Sequence, residues 1–340
     1  MSAKRKVAII GAGLQAGRRA PAIADDSSYE IALVVDRHRE RAERLAKPHN
    51  AVVETDWQAA IRRPDINAVL VLTYPDSHAE ISIAALESGK HVLCEKPLSY
   101  SLEEARAMTQ AAKRAGCVLK CGFNHRHHPA VVRARELFAQ GAIGKPAFGR
   151  GRYGIAGRTG LHLEWRSDPK IVPGGQLMEQ GVHLVDLFRW FLGEMTHVTG
   201  MMSTTCWPIA PLEDNGFLLM RSADGVVSSV HASLTQWINH FDFEIYGEKG
   251  SLSVEGLGAS YGVEKLVFSQ HDPRGPFSYQ TTEYRGGDAS WKAEWTEFAR
   301  AVAERDEPLG NGVDGLRAME VVDAAYAASR SGTTVRFDRA

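Results

Sequence analysis

The chain begins with short, continuous apolar runs that alternate with longer amphipathic segments. The runs are rich in β-branched residues, which is typical of strands buried on both faces of a parallel sheet. They read VAIIG, IALVVD, AVVET, AVLVLT, HVLCE and CVLKCGF. Helices are predicted between them, starting near Leu14, Arg37, Asp56, Ser77 and Ser101. Residues 1–123 are therefore predicted to form a doubly wound α/β domain with a parallel sheet.

The pattern of apolar positions changes after residue 124. A helix is predicted over residues 129–140. The glycine-rich stretch that follows, GRGRYGIAGRTG at 149–160, is predicted to be a loop that shapes a ligand pocket. A further amphipathic segment predicts a helix over residues 176–192, with an apolar flank that docks on a sheet.

The rest of the chain alternates apolar and polar residues with a period of two. This holds in 215–237 and 240–256, with turns at ADG and GEKG, and it predicts an antiparallel sheet. Two closing helices are predicted at 290–304 and 312–330. Residues 124–340 are therefore predicted to form a second α/β domain, whose last helices can pack back on the first.

Composition and charge exclude several classes of protein. The chain has 340 residues, 44% hydrophobic and 24% charged, with 40 basic and 41 acidic side chains and a net charge of -1. Such a balance provides no field that would attract nucleic acid or an anionic membrane. The four cysteines lack framework spacing, and neither a membrane-length apolar run nor a signal-peptide core is present. We expect a cytoplasmic enzyme with free thiols.

The segment VAIIGAGLQAG has the spacing of a dinucleotide-binding turn. Gly11 allows the tight turn, Gly13 lets the backbone approach a pyrophosphate, and Ala16 lets the helix pack close to the strand. Asp36 ends the second strand, where its carboxylate can accept hydrogen bonds from the adenosine ribose. Asp36 would repel a 2′-phosphate, although Arg37 beside it could pair with one. NAD is therefore the predicted cofactor and NADP the alternative.

The segment GGQLMEQGVHLVD, residues 174–186, places chemistry on the helix predicted there. Steps of four and three residues bring Glu179, His183 and Asp186 to one face of an α-helix. A carboxylate and an imidazole one turn apart can bind a metal, move a proton or satisfy each other in a core. The residues alone leave these three interpretations open.

Several blocks together resemble the Gfo/Idh/MocA family of glucose-fructose oxidoreductase, inositol dehydrogenase and related sugar dehydrogenases. They are the GAG turn, the block H-(10)-GK-H-V-x-x-E-K-P, Asn124 with Arg126, the pair Trp165–Arg166, and GG-x-L-x-E-x-G-V-H-x-x-D. The resemblance implies a Rossmann domain followed by an α/β domain with a large open, mainly antiparallel sheet. It also implies an active site between the domains and a homodimer or homotetramer formed through the open sheet.

The resemblance also implies roles for individual residues. Lys96 matches a lysine that contacts both the nicotinamide and the reacting hydroxyl, and His183 matches the histidine that takes the proton. Glu179 stands where most members have aspartate and is expected to hold Lys96 or a substrate hydroxyl. The predicted cofactor-binding residues are Gly11, Gly13, Leu14, Gln15, Asp36, Arg37, Thr73, Tyr74, Pro75, His78, Glu95, Lys96, Asn124, Trp165 and Arg166. The predicted substrate-binding residues are Lys96, Arg126, Tyr153, Arg158, His162, Glu179 and His183.

The position of Lys96 supports this assignment independently. It follows a predicted parallel strand at the carboxyl end, where open α/β sheets bind ligands, and the proline after it favours an extended backbone. Asp186 is expected to hold the His183 ring or a neighbouring backbone group. No metal is predicted, because the histidines of NHRHHP are too close in sequence to converge and hydride transfer beside a lysine needs none.

The predicted reaction is transfer of hydride between a nicotinamide cofactor and a secondary hydroxyl of a sugar, cyclic polyol or sugar derivative. Arg150, Arg152 and Arg158 could bind a carboxylate or a sugar-nucleotide phosphate, or could form a solvated basic loop. One alternative is a glycosidase or sugar-coupling enzyme that uses tightly bound NAD as a redox relay. The other is a non-catalytic dinucleotide sensor, which has no need for Lys96, Glu179 and His183 together.

Overall fold

A computed structural model describes residues 4–258 and 260–337 of the chain. Within these ranges the chain divides into two compact units. The first unit consists of Met1–Asn124 with Trp291–Leu316, and the second consists of His125–Ser290 with Arg317–Ala340. A segment near the C-terminus therefore returns to the first unit. No helix in the described ranges is long and apolar enough to cross a bilayer.

The first unit is a Rossmann domain. In chain order its elements are β1 (Arg5–Ile10), α1 (Leu14–Ala24), β2 (Tyr29–Val35), α2 (Arg39–Ala46), β3 (Val52–Glu54), α3 (Gln58–Arg62), β4 (Ile66–Val71), α4 (Pro75–Glu87), β5 (His91–Cys94), α5 (Leu102–Ala115) and β6 (Leu119–Cys121). Among the described residues its sheet has six strands in the order β3-β2-β1-β4-β5-β6, and neighbouring strands pair in parallel. The predicted doubly wound parallel sheet is confirmed.

Two features of this sheet position a ligand site. The strand order reverses between β1 and β4, and such switch points are where open α/β sheets bind ligands. The last four residues of β1 and of β4 are buried, as their apolar runs predict. Local signals support the helices around them; Ser101 and Glu104, for example, form a capping box at the start of α5.

The second unit is built on a large mixed sheet. Its elements are α6 (Pro129–Ala139), β7 (Pro146–Ala156), α7 (Val182–Leu192), β8 (Met195–Ser203), β9 (Asn215–Ser222), β10 (Val227–Ser233), β11 (Thr235–Gly247), β12 (Gly250–Glu255), β13 (Glu264–Gln270), β14 (Ser278–Tyr284) and β15 (Val335–Arg336). Helices α8 (Ser290–Glu304) and α9 (Gly312–Ser331) are each divided between the units. In the part of the chain that is described, nine strands run in the order β14-β13-β12-β11-β7-β10-β9-β8-β15. Only β7 and β10 pair in parallel there, so the expected mainly antiparallel sheet is confirmed.

The glycine-rich stretch that was predicted to be a loop forms most of β7, so that prediction is wrong. Its glycines have a packing role. A Cβ atom at Gly149 would lie 2.5 Å from Cε1 of Phe188, and one at Gly151 would lie 2.9 Å from Cδ2 of Leu184. The strand therefore lacks side chains where α7 packs against the sheet, because any side chain there would collide with the helix.

Candidate active site

The turn after β1 has the geometry that a dinucleotide requires. Gly11 has a φ of +98°, and a Cβ atom there would lie 2.6 Å from the carbonyl oxygen of Leu72, so only glycine fits. Gly13 is the N-cap of α1, and a Cβ atom there would meet nothing within 4 Å among the described residues. In the same part of the chain no side chain caps α1. The amide groups of its first turn can therefore receive a phosphate.

The residues around this turn also fit a dinucleotide. Asp36 accepts hydrogen bonds from the Ala12 amide and the His38 amide, each at 2.8 Å, and so holds the turn beside the end of β2. Oε1 of Gln15 is buried and has no hydrogen-bond partner in the described ranges, while the Leu14 side chain is exposed. A buried acceptor without a partner beside an open turn is consistent with a ligand that supplies one.

The loop after β4 extends the candidate nucleotide site. The guanidinium of Arg37 lies 5.7 Å from the centre of the Tyr74 ring, which is within the range of a cation–π contact. Thr73 accepts a hydrogen bond from the Ser77 hydroxyl at 2.8 Å, and Pro75 is the first residue of α4. Arg37 and Tyr74 thus form a surface at the end of β2 beside Asp36.

His78 is buried beneath these loops and contacts the backbone of two of them. Its side chain is buried, with Nδ1 2.9 Å from the carbonyl oxygen of Pro97 and Nε2 3.1 Å from that of Thr73. Burial lowers the pKa of His78, against the opposing effect of these two contacts. His78 was predicted to contact the cofactor, and in the structure its ring links the loop after β4 to the turn after β5.

Lys96 follows β5 and is partly exposed, and the Lys96–Pro97 peptide bond is cis. The preceding Glu95 is buried and accepts hydrogen bonds from Nε of Arg19 at 2.8 Å and from the Lys96 amide at 3.2 Å. Arg19 also donates to Glu294 at 2.5 Å. Arg19 and Glu294 were not identified from the sequence. The available signal was a charged residue on the otherwise small and apolar buried face of α1.

In the second unit, the helix that bears His183 does not begin as an α-helix. Residues Leu177–Gly181 form a π-helical turn that leads into α7. The predicted alignment of Glu179 with His183 assumed α-helical spacing, which a π turn does not keep. His183 is buried and stacks on His125, with ring centroids 3.7 Å apart and planes inclined by 21°. Glu179 accepts a hydrogen bond from Nε of Arg166 at 2.7 Å.

Asp186 and Arg126 form a buried ion pair that the sequence did not predict. Asp186 accepts two hydrogen bonds from Arg126, from Nε at 2.8 Å and from Nη2 at 2.6 Å, and both side chains are buried. The Arg126 guanidinium also lies 5.3 Å from the centre of the Trp190 ring. Asp186 therefore holds Arg126 in place through a bidentate ion pair.

The start of the π turn is held by Glu213, a residue that the sequence did not indicate. Its carboxylate accepts hydrogen bonds from the amides of Gly175 at 3.0 Å and Leu177 at 2.9 Å, and from the Tyr326 hydroxyl at 2.8 Å. Cβ atoms at Gly174 and Gly175 would collide with Tyr326 and Glu213. The glycine pair of the GG-x-L block thus makes room for a carboxylate that caps this turn from outside.

The remaining residues predicted to bind substrate (Tyr153, Arg158 and His162) or cofactor (Asn124, Trp165 and Arg166) lie in different environments. Tyr153 is buried, and its ring centre lies 5.2 Å from that of His125, next to the stacked histidines. Arg158 and His162 are exposed, and Arg158 donates to Glu164 at 2.7 Å. Asn124 is buried at the start of a short 3-10 turn. Trp165 and Arg166 contact each other, with the guanidinium 4.3 Å from the ring centre.

Arg150 and Arg152 point away from α7. Side chains alternate along a strand, and Gly149 and Gly151 face α7, so the two arginines lie on the opposite face of the sheet. Arg150 pairs with Glu244, and Arg152 pairs with Asp242 at 2.5 Å. They are therefore not part of the group around His183. The described residues contain no cluster of three or more metal-ligating side chains.

The structure thus groups the candidate residues in two places. In the first unit, the nucleotide turn, Asp36 and the loop after β4 lie along the carboxyl edge of the parallel sheet with Lys96. In the second unit, His183, His125 and Tyr153 are in contact, and the π turn that leads into His183 bears Glu179. The arrangement provides a phosphate-binding turn, the ammonium group of a partly exposed lysine and an imidazole, which are the groups that nicotinamide-dependent alcohol oxidation uses.

Two family models match the chain. Residues 5–123 match the model described as an oxidoreductase family with an NAD-binding Rossmann fold. Residues 131–253 match the C-terminal domain model of the Gfo/Idh/MocA proteins. Together these two matches span more than half of the chain.

Individual proteins are similar over long segments. Levoglucosan dehydrogenase of Pseudarthrobacter phenanthrenivorans is 34% identical over 226 residues, which cover 58% of this chain and 57% of that protein. The 1,5-anhydro-D-fructose reductase of Ensifer adhaerens is 28% identical, with 84% of each chain covered. The solved structure of a levoglucosan dehydrogenase in complex with NADH and levoglucosan has a TM-score of 0.92 and 26% identity, with 99% of this chain and 100% of that chain covered.

Proposed function

The chain belongs to the Gfo/Idh/MocA family of oxidoreductases, and on this premise we propose that it is an NAD-dependent dehydrogenase of an uncharged cyclic sugar or polyol. As a member of this family it is a sugar or polyol oxidoreductase with an NAD(P)-binding Rossmann domain. The observation that carries the proposal is the position of Lys96, partly exposed at the carboxyl end of β5, on the same sheet edge as the nucleotide turn.

The proposed chemistry assigns one task to each of three side chains. His183 removes the proton of a secondary hydroxyl, and Lys96 donates a hydrogen bond to the same oxygen and stabilises the negative charge that develops there. Glu179 orients the substrate through its carboxylate, and Arg166 fixes that carboxylate at 2.7 Å. A bound nicotinamide would supply the acceptor for the hydride of the substrate carbon.

Charge matching favours an uncharged substrate over a sugar nucleotide or a sugar acid. In the described ranges, Arg126, Arg158 and Arg166 each have a carboxylate partner, as do Arg150 and Arg152 on the far face of the sheet. A phosphate or carboxylate on the substrate would have to replace one of these partners, and in the buried pair it would leave Asp186 without a counter-ion. A neutral ring with hydroxyl groups requires no such exchange.

For the cofactor, NAD is favoured over NADP. The Asp36 carboxylate lies at the end of β2 and would repel a 2′-phosphate. Arg37 could offset that repulsion, but its guanidinium already lies against the Tyr74 ring. We expect the pair Arg37 and Tyr74 to flank the adenosine end of NAD.

The test is the absorbance of reduced nicotinamide when purified protein is mixed with NAD or NADP and a panel of compounds. The panel contains levoglucosan, 1,5-anhydrosugars, inositols, aldoses and sugar nucleotides. The proposal predicts reduction of NAD with one group of neutral compounds. Activity with sugar nucleotides alone would contradict the uncharged substrate. If no compound in the panel produces reduced nicotinamide and the purified protein already contains NAD, the result would favour a redox-relay glycosidase or transferase instead.

We further propose that the protein forms a homodimer through the open face, defined as the face of the second sheet that bears Phe148, Arg150 and Arg152. Strand register places Met201, Phe217 and Leu219 on this face, and their side chains are 73%, 46% and 53% exposed. An apolar area of this kind next to ion-paired arginines is typical of a self-association surface.

A further inference from the structure

Five ionisable side chains in the first unit alternate in charge from the turn after β5 into α8. Arg19 lies between two carboxylates, 2.7 Å from Glu95 and 2.5 Å from Glu294. Lys120 lies 3.2 Å from Glu297, and its charge also acts on Glu294. We call these five residues, Glu95, Arg19, Glu294, Lys120 and Glu297, the charge chain.

The charge chain contains three carboxylates and two cations, so it has one excess negative charge when all are ionised. Its central members are strongly buried, with Arg19 at 3% exposure and Glu294 and Lys120 at 0%. Burial raises the pKa of Glu294, while Arg19 and Lys120 oppose that change. Two buried cations lie near Glu294 and favour its ionised form.

The negative charge of Glu294 is not needed to neutralise Arg19. Glu95 already accepts a hydrogen bond from Arg19 at 2.8 Å and lies close to a second guanidinium nitrogen. Oε1 of Glu294 is buried and has no hydrogen-bond partner among the residues described. A buried carboxylate oxygen in this state costs stability, so a neutral side chain would be the better choice for folding alone.

The charge chain ends beside Lys96. Glu95 immediately precedes Lys96 at the carboxyl edge of the sheet, where the proposed function places the reacting end of the dinucleotide. The nicotinamide ring has a positive charge in its oxidised form and none in its reduced form. A fixed negative charge near the ring therefore interacts favourably with only one of the two forms.

We propose that the excess negative charge of the charge chain makes the site bind oxidised nicotinamide in preference to reduced nicotinamide, and that Glu294 supplies this excess. This inference rests on the proposed use of a nicotinamide dinucleotide. It assigns Glu294 as a positioning residue that acts through Arg19 and Glu95 without contact to the ligand.

The test compares the dissociation constants of NAD⁺ and NADH for the purified protein and for Glu294→Gln, measured by calorimetric titration. Glutamine has nearly the same shape and keeps an oxygen for Arg19, but it removes the charge. We expect the ratio of the NAD⁺ constant to the NADH constant to rise about threefold to tenfold, through weaker binding of NAD⁺. Glu304→Gln is the matched control, because Glu304 is an exposed carboxylate on the same helix, and the ratio should not change.

Two outcomes would overturn the inference. One is an unchanged ratio in Glu294→Gln, and the other is an equal loss of affinity for both forms, which a purely structural role would produce. If Glu294→Gln does not fold, Glu297→Gln is the variant that tests the inference, because Glu297 is 17% exposed. Loss of its charge should shift the ratio of the two dissociation constants in the same direction by a smaller factor. Failure of the unaltered protein to bind either form would instead contradict the proposed function.

Discussion

The imidazole ring of His183 stacks on that of His125, with centroids 3.7 Å apart and planes inclined by 21°. His125 therefore fixes the plane in which the proposed proton acceptor lies. The ring of His125 is itself held by Tyr153 at 5.2 Å and by Phe241 at 5.6 Å between centroids. This aromatic group gives the imidazole of His183 a defined orientation before any substrate arrives.

The stack leads to a prediction about kcat. His125→Phe keeps a flat ring beside His183 and should retain kcat to within about threefold, whereas His125→Ala should lower kcat about 10-fold to 100-fold. NAD affinity should change in neither variant, because the dinucleotide turn is in the other unit. Steady-state kinetics with the substrate found in the panel provide the measurement. A fully active His125→Ala would show that the stack has no orienting role.

The buried ion pair of Arg126 and Asp186 predicts strongly non-additive stability effects. Arg126→Met or Asp186→Leu alone leaves one uncompensated buried charge and should lower the free energy of unfolding by about 3–5 kcal/mol. The double variant removes both charges and should lose much less than the sum. Urea unfolding of the four proteins gives the coupling energy. Simple additivity would mean that the two side chains do not depend on each other.

The lowered pKa of His78 predicts how the free energy of unfolding depends on pH. Burial lowers the pKa of His78, so the folded protein resists protonation of a ring that the unfolded chain protonates below about pH 6.5. The free energy of unfolding should therefore fall as the pH drops from about 7 to about 5. His78→Gln should make this fall shallower, while His271→Gln, at an exposed position, should not. Equal slopes in all three proteins would remove His78 as a cause.

The open face predicts the oligomeric state. Leu219→Arg adds a charge at a side chain that is 53% exposed in the single chain and should convert a dimer to a monomer in light scattering after gel filtration. Val132→Arg is the matched control, since Val132 is a 38% exposed apolar residue of α6 outside the open face. A monomeric unaltered protein, or a dimer that persists in Leu219→Arg, would contradict the proposed interface.

Much of the fold could be predicted because its signals are local. Apolar runs, turn residues and helix caps repeat at short spacing, so the parallel sheet, its helices and the nucleotide turn followed from neighbouring residues. The prediction of a loop over residues 149–160 was wrong, because most of these residues lie in β7. Glycines favour loops on average, but here Gly149 and Gly151 leave room for Phe188 and Leu184, which lie far away in the sequence.

The details of the candidate site depend on pairings that no spacing reveals. Arg126 and Asp186 are 60 positions apart, and Arg19 and Glu294 are 275 positions apart. Their residue types indicated chemistry, but only the fold decides whether an arginine meets a substrate or a carboxylate. The π turn before α7 is a third example, since its sequence has ordinary α-helical periodicity.

The central claim is that Lys96 acts on the reacting oxygen and not in NAD binding alone. Lys96→Met retains most of the side-chain length without the charge, and its NAD affinity and its rate of nicotinamide reduction can be measured on the same sample. The account predicts NAD affinity within about threefold of the unaltered protein and turnover reduced by about 100-fold or more. Normal turnover in Lys96→Met would contradict the mechanism.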